Sequence, residues 1–582
     1  MLKYGYGGRI LRIDMTGRRF RIEPLESSWI RPVIGGRAAN SKRLYQELDT
    51  GCDPLGPENM LVFGIGPLTG SFLPASAFYT VSAKSPLTGI LGDSAAGGQF
   101  AAEMKQTGFD QIIITGQADK LLYLMITDNG VDFIECPELA GKIVLDTTEI
   151  IRNNHNDCSI QVAAIGPAGE NKVLFASIVS SGHRVNRRTG MGAVMGSKNL
   201  KAVAVRGSRS VEVADTLGFM EQVKQIEGAI LQHRDYQKHY KFGTTMLMQD
   251  INDIGALPTK HFQEGVCDYL DEISGRTLAE RFKVKNKACF NCNLHCSRYY
   301  VVNGLEAEGP GFESLCGFTS RIGNRDLPFA LEMNRYLNQM GMDSISASEV
   351  IGWIMECQEK GLIHPGDLDG FHLKWGDTGR IREAVEMIVF RCGIGDRMAD
   401  GAAKMSQDFS EEAQKLVMQV KGLDLSCGDP RGMKAYGLAS AISARGAGYL
   451  SAYPFSEPTD RLEEEGKAAL VSGAEKIAML TDSITMCGII GVSMDILDFG
   501  NAAALLKTGT GLKYTPDYLE QKLGQAVNTD RKLNRKFGVT HKDDTLPERF
   551  QKEPLTKGRS KGSTVNIYKM VDEYNMINKW QV

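Results

Sequence analysis

Three cysteines in the stretch KVKNKACFNCNLHCSRYY, namely Cys289, Cys292 and Cys296, carry a concentrated set of metal-ligating groups. Thiols spaced C-x2-C-x3-C gather in one tight loop, and as thiolates they are soft metal ligands. Structural zinc usually takes two paired hooks, or a mixed Cys/His set in a tetrahedron. Here the hook stands without an equivalent partner. Three clustered thiols plus one distant thiol suit the corners of a 4Fe-4S cube better than a zinc site. His295 lies inside the hook, where ligation and a solvent-side role are both open. The fourth corner has three candidates, Cys316, Cys427 and Cys487. Cys487 sits in LTDSITMCGIIG, five residues after Asp482, where the following glycine removes side-chain obstruction to a cofactor. Spacing alone does not choose among them.

Two further features bear on chemistry. The glycine-containing loops GIGPLTGSFLPAS, SPLTGILGDSAAGGQF (with Gly97 and Gly98) and RRTGMGAVMGSKNLKAV (with Arg188, Gly190 and Gly192) adjoin strand-like runs. Such loops can offer backbone N–H groups to phosphates. None is a Walker or dinucleotide-binding fingerprint, and a tight turn explains any one of them. Three in one region point to a phosphate-bearing cofactor. Glu313, in EAEGPGFESLCGF, has apolar neighbours whose desolvation would raise its carboxyl towards proton-transfer duty. The ordinary alternative is a loop carboxylate paired with an arginine.

The elements that must position these residues divide the chain. Its 582 residues exceed what one core supports, so two to four domains are expected. Basic and acidic side chains number 67 and 70, a balance that argues against general nucleic-acid binding. No apolar run is long enough to span a bilayer, and the N-terminal stretch lacks the apolar core of a signal peptide. A cytoplasmic location with reduced thiols follows as the expectation. Cys52, Cys136, Cys158, Cys267, Cys357 and Cys392 then read as small packed hydrophobes. Over 1–208, short β-like runs dominate, among them RILRID, MLVFGIG, FYTVSA, QIIITG, LLYLMIT, IQVAAIG and KAVAVRG. From 209 the periodicity becomes helical, as in DTLGFMEQVKQIEGAILQHR, LPFALEMNRYLNQMG, SASEVIGWIMECQEKG, EEAQKLVMQV and PDYLEQKLGQAVNTDRKLNRKF. An α+β chain is expected: a sheet-rich domain at 1–208, then mainly helical domains at 209–417 and 418–582.

Several long segments, in order, resemble the tungsten-containing aldehyde:ferredoxin oxidoreductases nearly end to end. They are GPLTG, KSPLTG, AIGPAGENKVLFASI, GMGAVMGSKNLKAVAV, CFNCNLHC, EGPGFES, the DPRG loop, DSITMC and DDTLPERF. The resemblance implies a sheet-rich base under two helical domains. It also implies tungsten or molybdenum held by two pterins, with a 4Fe-4S cluster beside them and a magnesium ion between the pterin phosphates. It assigns Cys487 as the fourth cluster ligand, through a D-x-x-G-L-C motif that runs here from Asp482 with Thr485 and Met486 replacing Gly-Leu. Its twin D-x-x-G-L-D matches NQMGMD, with Asn338 for the first aspartate and Asp343 kept. These two loops would hold one pterin. The glycine loops and Arg188 would hold the other. Glu313 matches the family's proton-transfer glutamate.

Three departures stand out. Tyr449 replaces an active-site histidine, Phe78 replaces an arginine near cluster and pterin, and Arg335, on the helix bearing Glu332, replaces a ligand of a dimer-bridging iron. That leaves the family's dimer in doubt. A related enzyme, the tungsten subunit of class II benzoyl-CoA reductases, uses a cysteine sulfur on the metal and a histidine proton donor. Cys316 and His261 could fill those parts. The leading expectation is aldehyde oxidation with electrons passed to ferredoxin or an Fe–S subunit. Low-potential reduction of an aryl-CoA and a metal-free binding subunit are the alternatives.

Overall fold

The computed structural model describes residues 2–452 and 460–580. Two six-stranded sheets form the N-terminal region. In the first, β1 (Arg9–Asp14), β2 (Arg19–Pro24), β3 (Leu61–Gly64), β4 (Tyr79–Lys84), β5 (Leu91–Ala96) and β6 (Phe109–Thr115) lie in the order β2-β1-β6-β3-β4-β5. The second contains β7 (Leu122–Thr127), β8 (Gly130–Glu135), β9 (Gln161–Ala164), β10 (Ile178–Ser180), β11 (Arg184–Asn186) and β12 (Leu200–Val205), ordered β11-β10-β9-β12-β7-β8. β1 and β6 pair in parallel, as do β7 and β12; the remaining pairings are antiparallel.

Side chains that alternate along a strand explain how the first sheet is buried on both faces. On β6, Ile112 and Ile114 join Leu124, Ile126, Val203 and Val205 of the second sheet in one core. Ile113, between them, joins Ala38 and Leu44 of the helix Gly36–Glu47 and Leu480 of the helix Lys467–Ile484 in another. The C-terminal part of the chain therefore packs directly on the N-terminal sheet.

Beyond residue 208 the chain is mainly helical, as the periodicity predicts, with two differences. Residues Lys283–Lys287, Ser297–Val302 and Leu305–Glu308 form a three-stranded antiparallel sheet. Its turn between the first two strands contains all three hook cysteines. EEAQKLVMQV is helical only over Glu411–Lys415, and Gln419–Val420 pairs with Leu423–Asp424. The helix Gly36–Glu47 interrupts the region read as strands. It escapes the pattern because its buried side includes Arg37, Asn40, Ser41 and Arg43 and so shows no apolar stripe.

Helix ends place the motif residues. Asp326 caps Leu327–Met340 by accepting from Phe329 N–H at 3.0 Å. Gly341, at φ +70°, turns the chain. Asp343 then caps Ser344–Glu359, accepting from the N–H groups of Ile345 and Ser346, both at 3.3 Å. Asn338 and Asp343 are thus fixed at either side of one tight reversal.

Candidate active site

The hook cysteines and Cys487, almost two hundred residues apart, are brought together by one residue. Ala75 donates its N–H to Asn291 O at 3.0 Å, and its carbonyl accepts from Cys487 N–H at 3.0 Å. The hook is fastened again where Phe290 N–H bonds Gly98 O at 3.0 Å. Gly97 is required for this approach: a Cβ there would lie 2.8 Å from Cys289 Sγ. Cys289, Cys292, Cys296 and Cys487 line a single cavity of about 180 Å³. Cys316 and Cys427 are not among its walls. Among the described residues, no three His, Cys, Asp or Glu side chains converge tightly enough for a single ion. Four thiols around a gap of that size suit a multi-iron cluster rather than a zinc ion. Burial pushes the Cys292 thiol up to about 12, with the neighbouring thiols adding to the shift. Such crowding favours ligation by a cation. Arg184 also lines the cavity, paired with Glu308 at 2.5 Å. It supplies a positive charge beside the thiols in a site where Phe78 carries none.

Phe78 borders three cavities: the four-thiol one, a second of about 240 Å³ and a chamber of about 1050 Å³. The second is walled by Gly97, Arg184, Arg187, Cys296 and Asn338, among others. The chamber meets Arg187, Glu313, Tyr449 and Cys487, and its apolar wall includes Leu247, Ile251, Phe312 and Met433. A volume at the upper end of ligand pockets has room for a cofactor and a small substrate together.

Glu313 lies in the first turn of a short helix, Phe312–Gly317, which aims its carboxyl into the chamber wall. Burial pushes that carboxyl up, against the opposing hydrogen bonds of Cys427 N–H and Tyr449 and the charge of Arg188. Cys427 N–H donates to Oε2 at 2.7 Å. Tyr449 lines the same wall and stacks on Tyr436 with centroids 5.1 Å apart. The group is a carboxyl held in a dry wall beside a phenol, suited to taking a proton.

The expected pterin residues separate into two sets. Asn338 accepts from Arg187 Nη2 at 3.0 Å, and Arg188 Nη1 stands 3.6 Å from Asp343. Asp482 meets Arg37 Nη1 at 3.3 Å; burial, partly offset by Arg37, moves its carboxyl up to about 6. Arg37 also meets Asp93 at 3.3 Å and Asp530 at 2.9 Å. Arg187, which borders the chamber and the second cavity, keeps its Nε buried without a hydrogen-bond partner, whereas Arg37 is paired with three carboxylates. An orphaned guanidinium donor beside the cavities fits an anionic, phosphate-bearing group.

Three residues take other positions. The Met486 side chain is packed in the core rather than open to a cavity. A Cβ on Gly190 would fall 2.0 Å from Leu174 O, and one on Gly192 would fall 2.6 Å from Ser177 O. Backbone packing, not access for a ligand, accounts for both glycines.

The structure also removes His261 and Cys316 from the chamber. Cys316 Sγ lies 3.4 Å from Ser320 Oγ, behind Glu313. His261 is completely buried, with Nδ1 2.7 Å from Glu356 and Nε2 2.9 Å from Glu349, so neither ring nitrogen is open to a substrate. Burial opposes its charge, but Glu349 and Glu356 outweigh this and push its pKa up. Arg321 and Arg549 complete the network by pairing with Glu349 and Glu356. Opening a buried ion pair strands the remaining charges. Glu356→Gln is therefore expected to cost about 3–5 kcal/mol, read as a lowered denaturation midpoint without loss of the four-thiol site.

Glu332 is engaged by Asn303 and Arg382, each at 2.6 Å, and Arg335 bonds Glu306 O at 3.1 Å. Arg37, Arg184 and Arg187 were not singled out in the sequence. The cationic run RVNRR at 184–188 carried a signal for two of them; Arg37 carried none, because its three carboxylate partners are remote in sequence.

Family models confirm the resemblance. The N-terminal domain of aldehyde ferredoxin oxidoreductase matches residues 10–207, and its domains 2 and 3 match 221–582. The tungsten-containing aldehyde ferredoxin oxidoreductase of Pyrococcus abyssi is 36% identical, over 99% of this chain and 96% of its own. The Pyrococcus furiosus enzyme of the same name is 35% identical with the same coverage. An aliphatic sulfonate oxidoreductase, WOR-like subunit, from Pyrococcus furiosus is 27% identical over 97% of this chain and 92% of its own. In fold, the chain superposes with a TM-score of 0.87 on a chain of the benzoyl-coenzyme A reductase active-site complex BamBC, solved with 1,5-dienoyl-CoA. That match covers 99% of this chain and 95% of the other, at 22% identity.

Proposed function

The chain belongs to the aldehyde ferredoxin oxidoreductase family of tungstopterin oxidoreductases, and on that premise we propose that it oxidises aldehydes to carboxylic acids. Its electrons would leave through a 4Fe-4S cluster on Cys289, Cys292, Cys296 and Cys487 to ferredoxin or an Fe–S subunit. The observation that carries this reading is the place of Glu313: a buried carboxyl in the wall of a chamber that also reaches Cys487.

Oxidation of an aldehyde adds a water oxygen and releases two electrons and two protons. The tungsten pterin, when bound, supplies the two-electron redox centre. The chain's own residues do the rest. Arg187 and Arg188 would neutralise and orient the pterin phosphates, with Asn338 and Asp343 holding those arginines, while Arg37, paired with Asp482, Asp93 and Asp530, braces the turn that carries Asp482. Phe312, Met433 and the neighbouring apolar wall exclude bulk water and favour an apolar aldehyde tail. Glu313 takes a proton at its carboxylate, which Cys427 N–H keeps in register. Tyr449 is a hydrogen-bond donor at neutral pH and a poor base, so one carboxylate serves as the base. Cys316 lies away from the chamber wall, which leaves the aryl-CoA reading without its sulfur ligand and supports the aldehyde reading over it.

No described helix is long and apolar enough to cross a membrane, and a cytoplasmic location is part of the proposal. The test is elemental analysis followed by an aldehyde panel with benzyl viologen as acceptor. About four irons and about one tungsten or molybdenum per chain, with aldehyde-dependent dye reduction, are expected. Zinc alone, or dye reduction with no aldehyde, would reject the reading.

A further inference from the structure

An enzyme with one cluster must pass electrons out one at a time through the surface nearest that cluster. The residues covering the four-thiol cavity form a continuous face. The Asn291 side chain donates to Phe72 O at 2.7 Å, and the His295 ring lies 6.2 Å from Tyr240. Asn286 donates to Tyr240 O at 2.9 Å, so the helix Tyr236–Phe242 rides on the strand Lys283–Lys287. Phe72, against the hook at Asn291, is 68% exposed, and Val284, on the strand leading into the hook, is 59% exposed. Cys289 and Cys292 are themselves only partly covered.

Lysines line the Val284 strand and the helix packed on it. Lys241, Lys285 and Lys287 are exposed, Lys283 is half-buried with its ammonium on Lys241 O, and Lys238 faces Asp250 at 3.9 Å. The acidic groups in reach are Asp250, Asp235, Glu227 and Glu306, of which Asp235 meets Arg234, Glu227 accepts from Asn293 and Glu306 bonds Tyr299, the ring under Lys285. Cations outnumber carboxylates here in a chain whose net charge is -3. An apolar centre with a charged rim is the anatomy of a transient docking site, and the sign of the rim selects the partner.

We propose that this face, built on Phe72, Val284, Lys241 and Lys285, docks an acidic iron–sulfur protein that accepts electrons from the cluster. The inference rests on the cluster assignment above. In each encounter the cluster loses one electron and the partner's oxidised centre gains it, so two encounters match one aldehyde. Opposite charges speed and orient the encounter, and salt weakens it.

The test uses the metal-loaded protein, a purified acidic ferredoxin and the double variant Lys241→Glu/Lys285→Glu. Both side chains are exposed, Lys241 over the Phe242 ring and Lys285 over the Tyr299 ring, and neither lines the chamber or the four-thiol cavity. Calorimetric titration with oxidised ferredoxin should show a Kd raised by about tenfold or more at low salt, with the wild-type salt dependence flattened. The neutral variant Lys241→Gln/Lys285→Gln should fall between. Aldehyde-dependent reduction of benzyl viologen, a cationic dye, should stay within about twofold of wild type. An unchanged, salt-independent ferredoxin Kd in both variants would overturn the docking face. Absence of dye reduction in the wild type would instead reject the functional reading, while the titration would still decide the surface.

Discussion

Glu313→Gln is expected to lower turnover by about 10²–10⁴-fold while iron and tungsten contents stay unchanged. Glutamine preserves the shape and can still accept from Cys427 N–H, which now donates to Oε2 at 2.7 Å. It cannot take a proton. Burial raises the Glu313 carboxyl in the folded chain, and a base works only when deprotonated. Wild-type kcat/KM should therefore fall with falling pH along a limb placed above the ordinary glutamate value of about 4.3. That limb should vanish in the variant. A variant that keeps near-full activity and the same acid limb would remove Glu313 from proton transfer. Tyr449→Phe should cost far less, since it removes a hydrogen-bond donor and leaves the base in place.

Cys487→Ser is the second large effect. It should remove the electron paramagnetic resonance signal of the reduced 4Fe-4S cluster, lower iron from about four per chain and depress ferredoxin reduction by about 100-fold or more. Serine keeps the backbone bond to Ala75 O that fixes the position, so the loss would come from the ligand and not from the loop. Cys427→Ser is the internal control. Its thiol sits 3.6 Å from Glu313 O, outside the four-thiol cavity, and iron should be retained. Retention of a full cluster in Cys487→Ser together with its loss in Cys427→Ser would move the fourth ligand to Cys427.

Much of this architecture was legible in local patterns. β-Branched apolar runs such as QIIITG marked strands because a sheet buried on both faces needs apolar side chains at successive positions. The long amphipathic stretches marked helices for the complementary reason. The three-stranded sheet at Lys283–Glu308 was missed, since KVKNK is charged along its length and pairs at an exposed edge. The turn at Thr485 is instructive. The family motif has glycine there, and Thr485 adopts φ +61°, a left-handed conformation costly for a β-branched residue. Its hydroxyl accepts from Gly66 N–H at 3.0 Å and lies 2.5 Å from the Thr69 hydroxyl, which offsets the strain. A sequence read alone shows the substitution but not the partners that make it tolerable.

The sequence by itself determined the chemistry on offer: a thiol hook, a distant cysteine after an aspartate, and a glutamate in an apolar setting. Ligand type and short spacing are local properties and survive in the linear order. Which groups share a space came from the packing of distant segments. That packing put Cys487 with the hook through Ala75, set Cys427 rather than Cys316 against the Glu313 carboxylate, and closed His261 between two glutamates. It also set Arg187 beside the chamber and the second cavity, where its buried unpaired donor calls for an anion. Proximity between residues hundreds of positions apart depends on how sheets and helices pack, and burial depends on everything around a side chain. Neither quantity is contained in any window of the chain.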